Sequence, residues 1–215
     1  LLQHASRAAT GLRALGVAFG DRVAVCLRND FAYFEAIYAA SLVGASCVPM
    51  NWHYAKDEAQ FVLNDSGAKV LVIHADLYHR IRGVIPSNIS VLVVPTPAEI
   101  GTAYAIPSEL CAVPDDQKRW SEWLFAYEEA APAPPLSLGS FIYTSGTTGH
   151  QRAVNRAATH REQAWRSNVE VARAFELGFS RKMMDGTAYM TGPVHHRAPN
   201  AHAMAARRRR GPGMC

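Results

Sequence analysis

The stretch GDRVAVCLRNDFAYFEAIYAASLVGASCVPM, Gly20 to Met50, reads as strand, helix and strand in succession. A turn at Gly20-Asp21 opens onto RVAVCL (Arg22 to Leu27), a short β-rich run. Asn29 or Asp30 then offers a side-chain oxygen to cap a helix over FAYFEAIYAASLV, which stops at Gly44. ASCVPM follows as a second strand. Two strands joined through a helix need a crossover, which makes them parallel and right-handed.

The pattern repeats outward from this unit. Upstream, LLQHASRAATGLRALG carries apolar residues at 1, 2, 5, 8, 9, 12 and 15, which is helical spacing, and Gly16 suits the helix end. Downstream, KDEAQFVLNDSG reads as an amphipathic helix, KVLVIHA as a strand, DLYHRIRGV as a helix and SVLVVP as a strand. Runs such as VLVI and VLVV are apolar at every position, as strands covered on both faces must be. The fold class is therefore α/β, a largely parallel sheet with crossover helices. The aromatic residues Phe31, Tyr33, Phe34 and Tyr38 are assigned to its core.

From Thr96 to Pro135 the alternation loosens. KRWSEWLFAYEEA is expected to form one surface helix, with Trp120 and Trp123 packing beneath a stiff APAPPL linker. Further on, HREQAWRSNVEVARAFEL reads as a long helix, GTAYMTG as a short strand and PVHHRAPNAHAMAA as a loop entering a helix. Four segments result: a first α/β block over 1–95, a surface helix and linker over 96–138, a loop-bearing segment and second α/β start over 139–206, and a basic tail over 207–215.

The net charge of +4 comes from that tail, because taking away Arg207, Arg208, Arg209 and Arg210 leaves the body neutral. A neutral body lacks the spread basic face of a nucleic-acid binder, so no nucleic-acid partner is expected. Of the 22 basic residues, Arg is the great majority, as GC-rich coding DNA produces. The ending AARRRRGPGMC resembles such DNA read out of frame. No apolar run is long enough to cross a bilayer, and a cytoplasmic location is expected. Cys26, Cys47, Cys111 and Cys215 lack metal spacing and read as thiols, two of them inside apolar strand runs. His195, His196 and His202 have no carboxylate or thiol at ligand spacing, so no metal site is expected there.

The segment with chemistry in it is FIYTSGTTGHQRAV, Phe141 to Val154. A strand ending in clustered Ser, Thr and Gly suits either an ordinary hairpin turn or an anion-binding turn built from backbone N–H groups and hydroxyls. Gly146 and Gly149 permit close backbone approach, Ser145, Thr147 and Thr148 add hydroxyl donors, and Arg152 follows within reach. The commoner phosphate loops, G-x-x-x-x-G-K-[ST] and G-x-G-x-x-G, are absent.

The order YTSGTTG is narrower than either, and here the chain resembles the adenylate-forming superfamily: acyl-CoA synthetases, amino-acid-activating domains and luciferases. Their phosphate loop reads Tyr-Thr-Ser-Gly-Thr-Thr-Gly-x-Pro-Lys-Gly-Val. Tyr143 to Gly149 match it without change, whereas Gln151, Arg152 and Ala153 stand where the family has Pro, Lys and Gly. GDRVAVCLRND with SLVGASCVPMN resembles the family's first α/β unit, and TGPVHHRAPN resembles its Thr-Gly-Pro-x-Tyr-His-Ser-Ala-Pro-Asn segment, with His196 on the family His. The likeness runs from residue 1 to about 206.

What the resemblance implies is an ATP-dependent acid–CoA ligase of bacterial acyl-CoA synthetase type. A carboxylate attacks the α-phosphate of ATP, pyrophosphate leaves, and coenzyme A then displaces AMP from the acyl-adenylate. The implied partners are a small-molecule carboxylic acid, ATP, Mg²⁺ and coenzyme A. Thr144, Ser145, Gly146, Thr147, Thr148 and Gly149 would hold the β- and γ-phosphates, with Arg152 in place of the family Lys and His196 as the catalytic-site His orienting substrate. Arg keeps the charge but is planar and bulkier, so phosphate binding is expected to be weakened and not abolished. The family's Thr-Glu pair, its Thr/Ser-Gly-Asp motif and its C-terminal Lys domain find no match among these residues. The expectation is a partial N-terminal domain, with its sheet incomplete and an edge exposed. Alone it would be catalytically incomplete; a non-catalytic phosphate-binding remnant is the alternative.

Overall fold

A computed structural model describes residues 1–129, 134, 136–145, 151–154, 158–163, 166 and 192–193. The chain begins with α1 (Leu2–Ala14), β1 (Arg22–Cys26), α2 (Phe31–Val43), β2 (Ser46–Pro49), α3 (Lys56–Ser66) and β3 (Val70–His74). Next come α4 (Ala75–Ile81) with a 3-10 turn over Arg82–Val84, β4 (Ser90–Val94), the short helices α5 (Ala98–Ala103) and α6 (Ser108–Cys111), β5 (Lys118–Arg119) and α7 (Trp120–Phe125). Four further strands follow: β6 (Leu136–Ser137), β7 (Ile142–Ser145), β8 (Gln151–Val154) and β9 (Thr159–His160).

The first five strands form one parallel sheet in the order β2-β1-β3-β4-β5, so the fold is α/β as the sequence implies. Its register explains the uninterrupted apolar runs. Val23 aligns with Cys47 and Val70, and all three enter one core with α1, α2 and α7. One residue on, Ala24 aligns with Val48 and Leu71, and these enter the opposite core with α3 and α4. Successive side chains alternate between faces, and both faces are covered, so neither set tolerates polar residues.

Local chemistry sets the boundaries of α2. The Asp30 carboxylate accepts from the Phe31 N–H at 2.6 Å, and Gly44 ends the helix at φ 82°. A side chain there would be strained by that φ and would also meet the Phe19 ring at 2.5 Å and Pro134 at 2.9 Å. Tyr33 and Phe34 lie in the core as expected, and Tyr38 packs against it partly buried. Phe31 does not: it is 69% exposed, because the first helical position faces away from the sheet.

The expected surface helix over 118–130 is a second correction. Lys118 and Arg119 instead add the fifth strand, and the short α7 behind them buries Trp120, Trp123 and Leu124. The two indoles stack at 5.5 Å between centroids, and Trp120 donates to the buried Glu35 carboxylate at 2.8 Å. His4 of α1 bonds the other oxygen of Glu35 at 2.7 Å, so one carboxylate ties three helices together. α1 admits this packing through Gly11, where an added Cβ would stand 2.6 Å from the Trp123 ring and 2.8 Å from Tyr127. A mid-helix glycine costs about 1 kcal/mol relative to Ala, and here the indole occupies the space an alanine would need.

Cys26 and Cys47 are buried free thiols in β1 and β2, and burial pushes Cys26 up to about 12 and Cys47 higher still. No described helix is long and apolar enough to cross a membrane.

Two outcomes follow from this packing. Gly11→Ala should destabilise the chain by about 1–3 kcal/mol through overpacking against Trp123, read from the urea midpoint. A thiol reagent at pH 8 should leave Cys26 and Cys47 unmodified until denaturant is added, with peptide mass mapping identifying the labelled sites.

Candidate functional site

Two places in this fold invite a ligand. In a 2-1-3-4-5 parallel sheet the first is the crevice beyond the carboxyl ends of β1 and β3, where the strand order reverses. Here the chain fills it with its own side chains. Arg28 follows β1 and makes two hydrogen bonds to the Asp76 carboxylate, at 2.9 and 2.8 Å. Thr96 donates to Asp76 at 2.7 Å. His74, wholly buried, accepts from the Arg28 backbone N–H at 3.2 Å through Nδ1 and pairs through Nε2 with Asp30 at 3.1 Å. The Arg28 guanidinium also lies over the Trp52 and Tyr104 rings, 5.0 Å from each centroid. Burial disfavours the Asp76 charge, but the Arg28 and Thr96 hydrogen bonds and the Arg28 charge outweigh it, holding the carboxyl below the usual range.

The second place is the hairpin that carries the Ser/Thr/Gly cluster. Phe141 reaches the β2 edge, its N–H donating to the Cys47 carbonyl at 2.7 Å beside a parallel bridge from Cys47 to Ser140. The β2 edge of the sheet is therefore partly covered. Arg22 sits 4.3 Å over the Phe141 ring, and Phe141 and Tyr143 are both buried in the α3/α4 core. Tyr143 donates its hydroxyl to Asp65 of α3 at 2.5 Å. From this anchored start β7 runs antiparallel to β8, pairing Tyr143 with Ala153, Thr144 with Arg152 and Ser145 with Gln151.

The register brings three of the predicted residues together: Thr144 and Ser145 end one strand, and Arg152 sits directly across the ladder from Thr144. Gly146, Thr147, Thr148 and Gly149 fall between those strands in sequence and lie outside the described residues, as does His196. So do His195, His202, Cys215, the tail and most of the helix and strand expected beyond residue 163. Gly192, at the start of the Gly-Pro segment, accepts from Asn29 Nδ2 at 3.1 Å at the carboxyl end of β1. β6 and β9 pair antiparallel, and Arg161 behind β9 donates to the Pro134 carbonyl at 2.6 Å and to the Ser41 hydroxyl and carbonyl. A cation thereby meets the carbonyl end of α2, where the helix dipole favours it. Sequence reading did not find Asp65, which lies 78 positions from Tyr143.

The model of the AMP-binding enzyme family matches residues 1–206. The chain belongs to that family. It is 31% identical over 202 residues to a feruloyl-CoA synthase of an Amycolatopsis species, covering 92% of this chain and 34% of that protein. It is 29% identical over 182 residues to the long-chain-fatty-acid–CoA ligase FadD13 of Mycobacterium tuberculosis, covering 78% of this chain and 31% of that one. This member of the family thus spans roughly a third of the length of these curated relatives, by those coverages of 31% and 34%. Among solved structures, a luciferase of Phrixothrix hirtus superposes with a TM-score of 0.72 at 17% identity, covering 95% of this chain and 48% of that one. A long-chain-fatty-acid–CoA ligase, FadD1 of Archaeoglobus fulgidus, gives 0.67 at 24% identity, with 96% and 37% covered. These likenesses show a shared fold.

Because Asp76 is lowered in the folded chain, its stabilisation is complete above the unfolded value near pH 4 and is lost as pH falls through the folded value. Asp76→Asn should cost about 3 kcal/mol at pH 7 and flatten the acid limb of urea stability measured from pH 6 to pH 2. The part of that limb due to Asp21, also lowered, should remain.

Proposed function

We propose that this chain supplies the phosphate-gripping segment of an ATP-dependent acid–CoA ligase. The observation that carries the reading is the β7–β8 register. It sets Arg152 opposite Thr144 at the foot of the one segment whose sequence, Tyr143 to Gly149, keeps the family loop unbroken.

In the first step an anion must attack a polyanion, so the site has to neutralise charge that builds on departing pyrophosphate. Thr144, Ser145 and the residues from Gly146 to Gly149 hold the β- and γ-phosphates through N–H and hydroxyl donors. Arg152 supplies the fixed positive charge, and His196 orients the carboxylate. Coenzyme A thiolate then takes the acyl group and AMP leaves. Mg²⁺ would arrive with the nucleotide phosphates as their counter-ion; among the described residues no group of three His, Cys, Asp or Glu side chains gathers to hold it. The acid is a small-molecule carboxylic acid; the relatives' names give two kinds, a feruloyl group for one and a long-chain fatty acid for FadD13.

A second reading is favoured by one feature of the sequence. Without a Thr-Glu pair or a late Gly-Asp motif to grip adenosine, these 215 residues by themselves bind phosphates and complete no adenylation.

Calorimetric titration with Mg-ATP should show saturable binding that tightens about threefold in Arg152→Lys, as a compact ammonium replaces the planar fork. Unaltered affinity in that variant would sink the role given to Arg152. Pyrophosphate release with a panel of carboxylic acids separates the two readings: release supports the complete reaction, and its absence alongside ATP binding supports the phosphate-binding one.

A further inference from the structure

The β7–β8 hairpin leaves the main sheet almost as soon as it begins. Among the described residues its backbone ties to β2 are the Ser140 bridge and the Phe141 N–H, and from Ile142 onward β7 pairs with β8 in a separate two-stranded ladder. The strand that delivers Thr144 and Ser145 therefore needs a side-chain fixing point beyond Phe141. The Tyr143 hydroxyl, donating to Asp65 at 2.5 Å, is placed one residue before Thr144. The ring is buried, edge-on to Phe61 at 6.4 Å and to Phe141 at 5.6 Å. Ring contacts of that kind resist lifting the strand, but they leave it free to slide or twist along the face of α3. A short hydrogen bond to a carboxylate fixes the phenol tip in position and is stronger than a neutral one.

We propose that Asp65 is a positioning residue for the phosphate loop: through Tyr143 it sets where the β7 strand ends, and so where the loop presents its donors. The proposal deepens the phosphate-binding reading above and rests on it. Asp65 touches no phosphate itself. It sits near the C-terminal end of α3, a helix capped at its start by Glu58 on the Ala55 N–H and ended at Gly67 with φ 59°. Arg22 ties that end to the sheet by donating to the Ser66 carbonyl at 2.7 Å while lying over the Phe141 ring. The carboxylate is thus mounted on a part of the fold held independently of the hairpin.

The test is a double-mutant cycle on the 215-residue chain, with Mg-ATP and pyrophosphate as titrants and the urea midpoint measured beside each affinity. Tyr143→Phe removes one oxygen and keeps the packed ring; Asp65→Ala removes the acceptor; Asp65→Asn keeps an acceptor without the charge. The expected result is that Tyr143→Phe and Asp65→Ala each weaken both titrants about tenfold. The double variant should be no weaker than either single one, and Asp65→Asn should fall between them and the wild type. A merely structural contact would lower the urea midpoint and leave the affinity of the folded chain where it was. Should Asp65→Ala fail to fold, Tyr143→Phe with Asp65→Asn still closes the cycle. Wild-type binding with undiminished affinity in Tyr143→Phe overturns the positioning role and leaves the phosphate-binding reading standing. No saturable binding by the wild-type chain overturns both.

Discussion

A parallel sheet buried on both faces is the constraint from which the rest of this structure follows. The interior positions of β1 and β3, Val23 to Cys26 and Val70 to Ile73, and most of β4 must be apolar, because one face packs against α1, α2 and α7 and the other against α3 and α4. Polar side chains are consequently displaced to the strand ends. Arg28, Asp30, His74, Asp76 and Thr96 gather at one such end, where they can satisfy each other. A buried guanidinium without its carboxylate would be costly, so the cluster stands or falls as a unit.

That cluster also occupies the place where a ligand would otherwise be expected. In sheets of this strand order the crevice between β1 and β3 is the usual place for a ligand. Here a chelated Arg28, two aromatic rings over its face and a wholly buried His74 occupy it. A guanidinium already bound at two points by Asp76 has little charge to offer a phosphate. The β7–β8 hairpin stands beyond β2, tied to that edge at Ser140 and Phe141 and paired from Ile142 onward in its own two-stranded ladder. A strand so placed requires side-chain anchors in place of a longer ladder to the main sheet.

How far this could be read from sequence depends on the range of the interaction responsible. The cap at Asp30 and the stop at Gly44 act within a few residues, and α2 begins and ends where those residues place it. The alternation of strands and helices is likewise local, and the parallel sheet follows from it. The misreadings were long-range. Trp120, Trp123 and Leu124 have the spacing of an amphipathic surface helix, and only Gly11, more than a hundred residues earlier, reveals that an indole lies against α1. Phe31 looked like core by composition, yet its position at the first turn of α2 turns it to solvent. In the candidate site the register brings together Thr144, Ser145 and Arg152, neighbours already in the sequence, whereas Asp65 was not legible, because nothing in an acidic residue near a helix end announces a phenol 78 positions away.

These ranges also order the parts of the molecule by what supports them. The sheet is held by burial, which is non-directional and tolerates small rearrangements. The hairpin shares in that burial through Phe141 and Tyr143, and adds directional contacts: a backbone hydrogen bond at Phe141, a cation over that ring and one phenol–carboxylate contact. A directional contact constrains position more tightly than burial does, because it weakens steeply as its distance and angle change. Removing the Tyr143 hydroxyl or the Asp65 carboxylate would therefore loosen the hairpin with its ring still packed, whereas variation in the apolar rows of β1 and β3 would act on the sheet itself. Sheet and hairpin thus share one core and differ in the directional contacts that the hairpin adds to it.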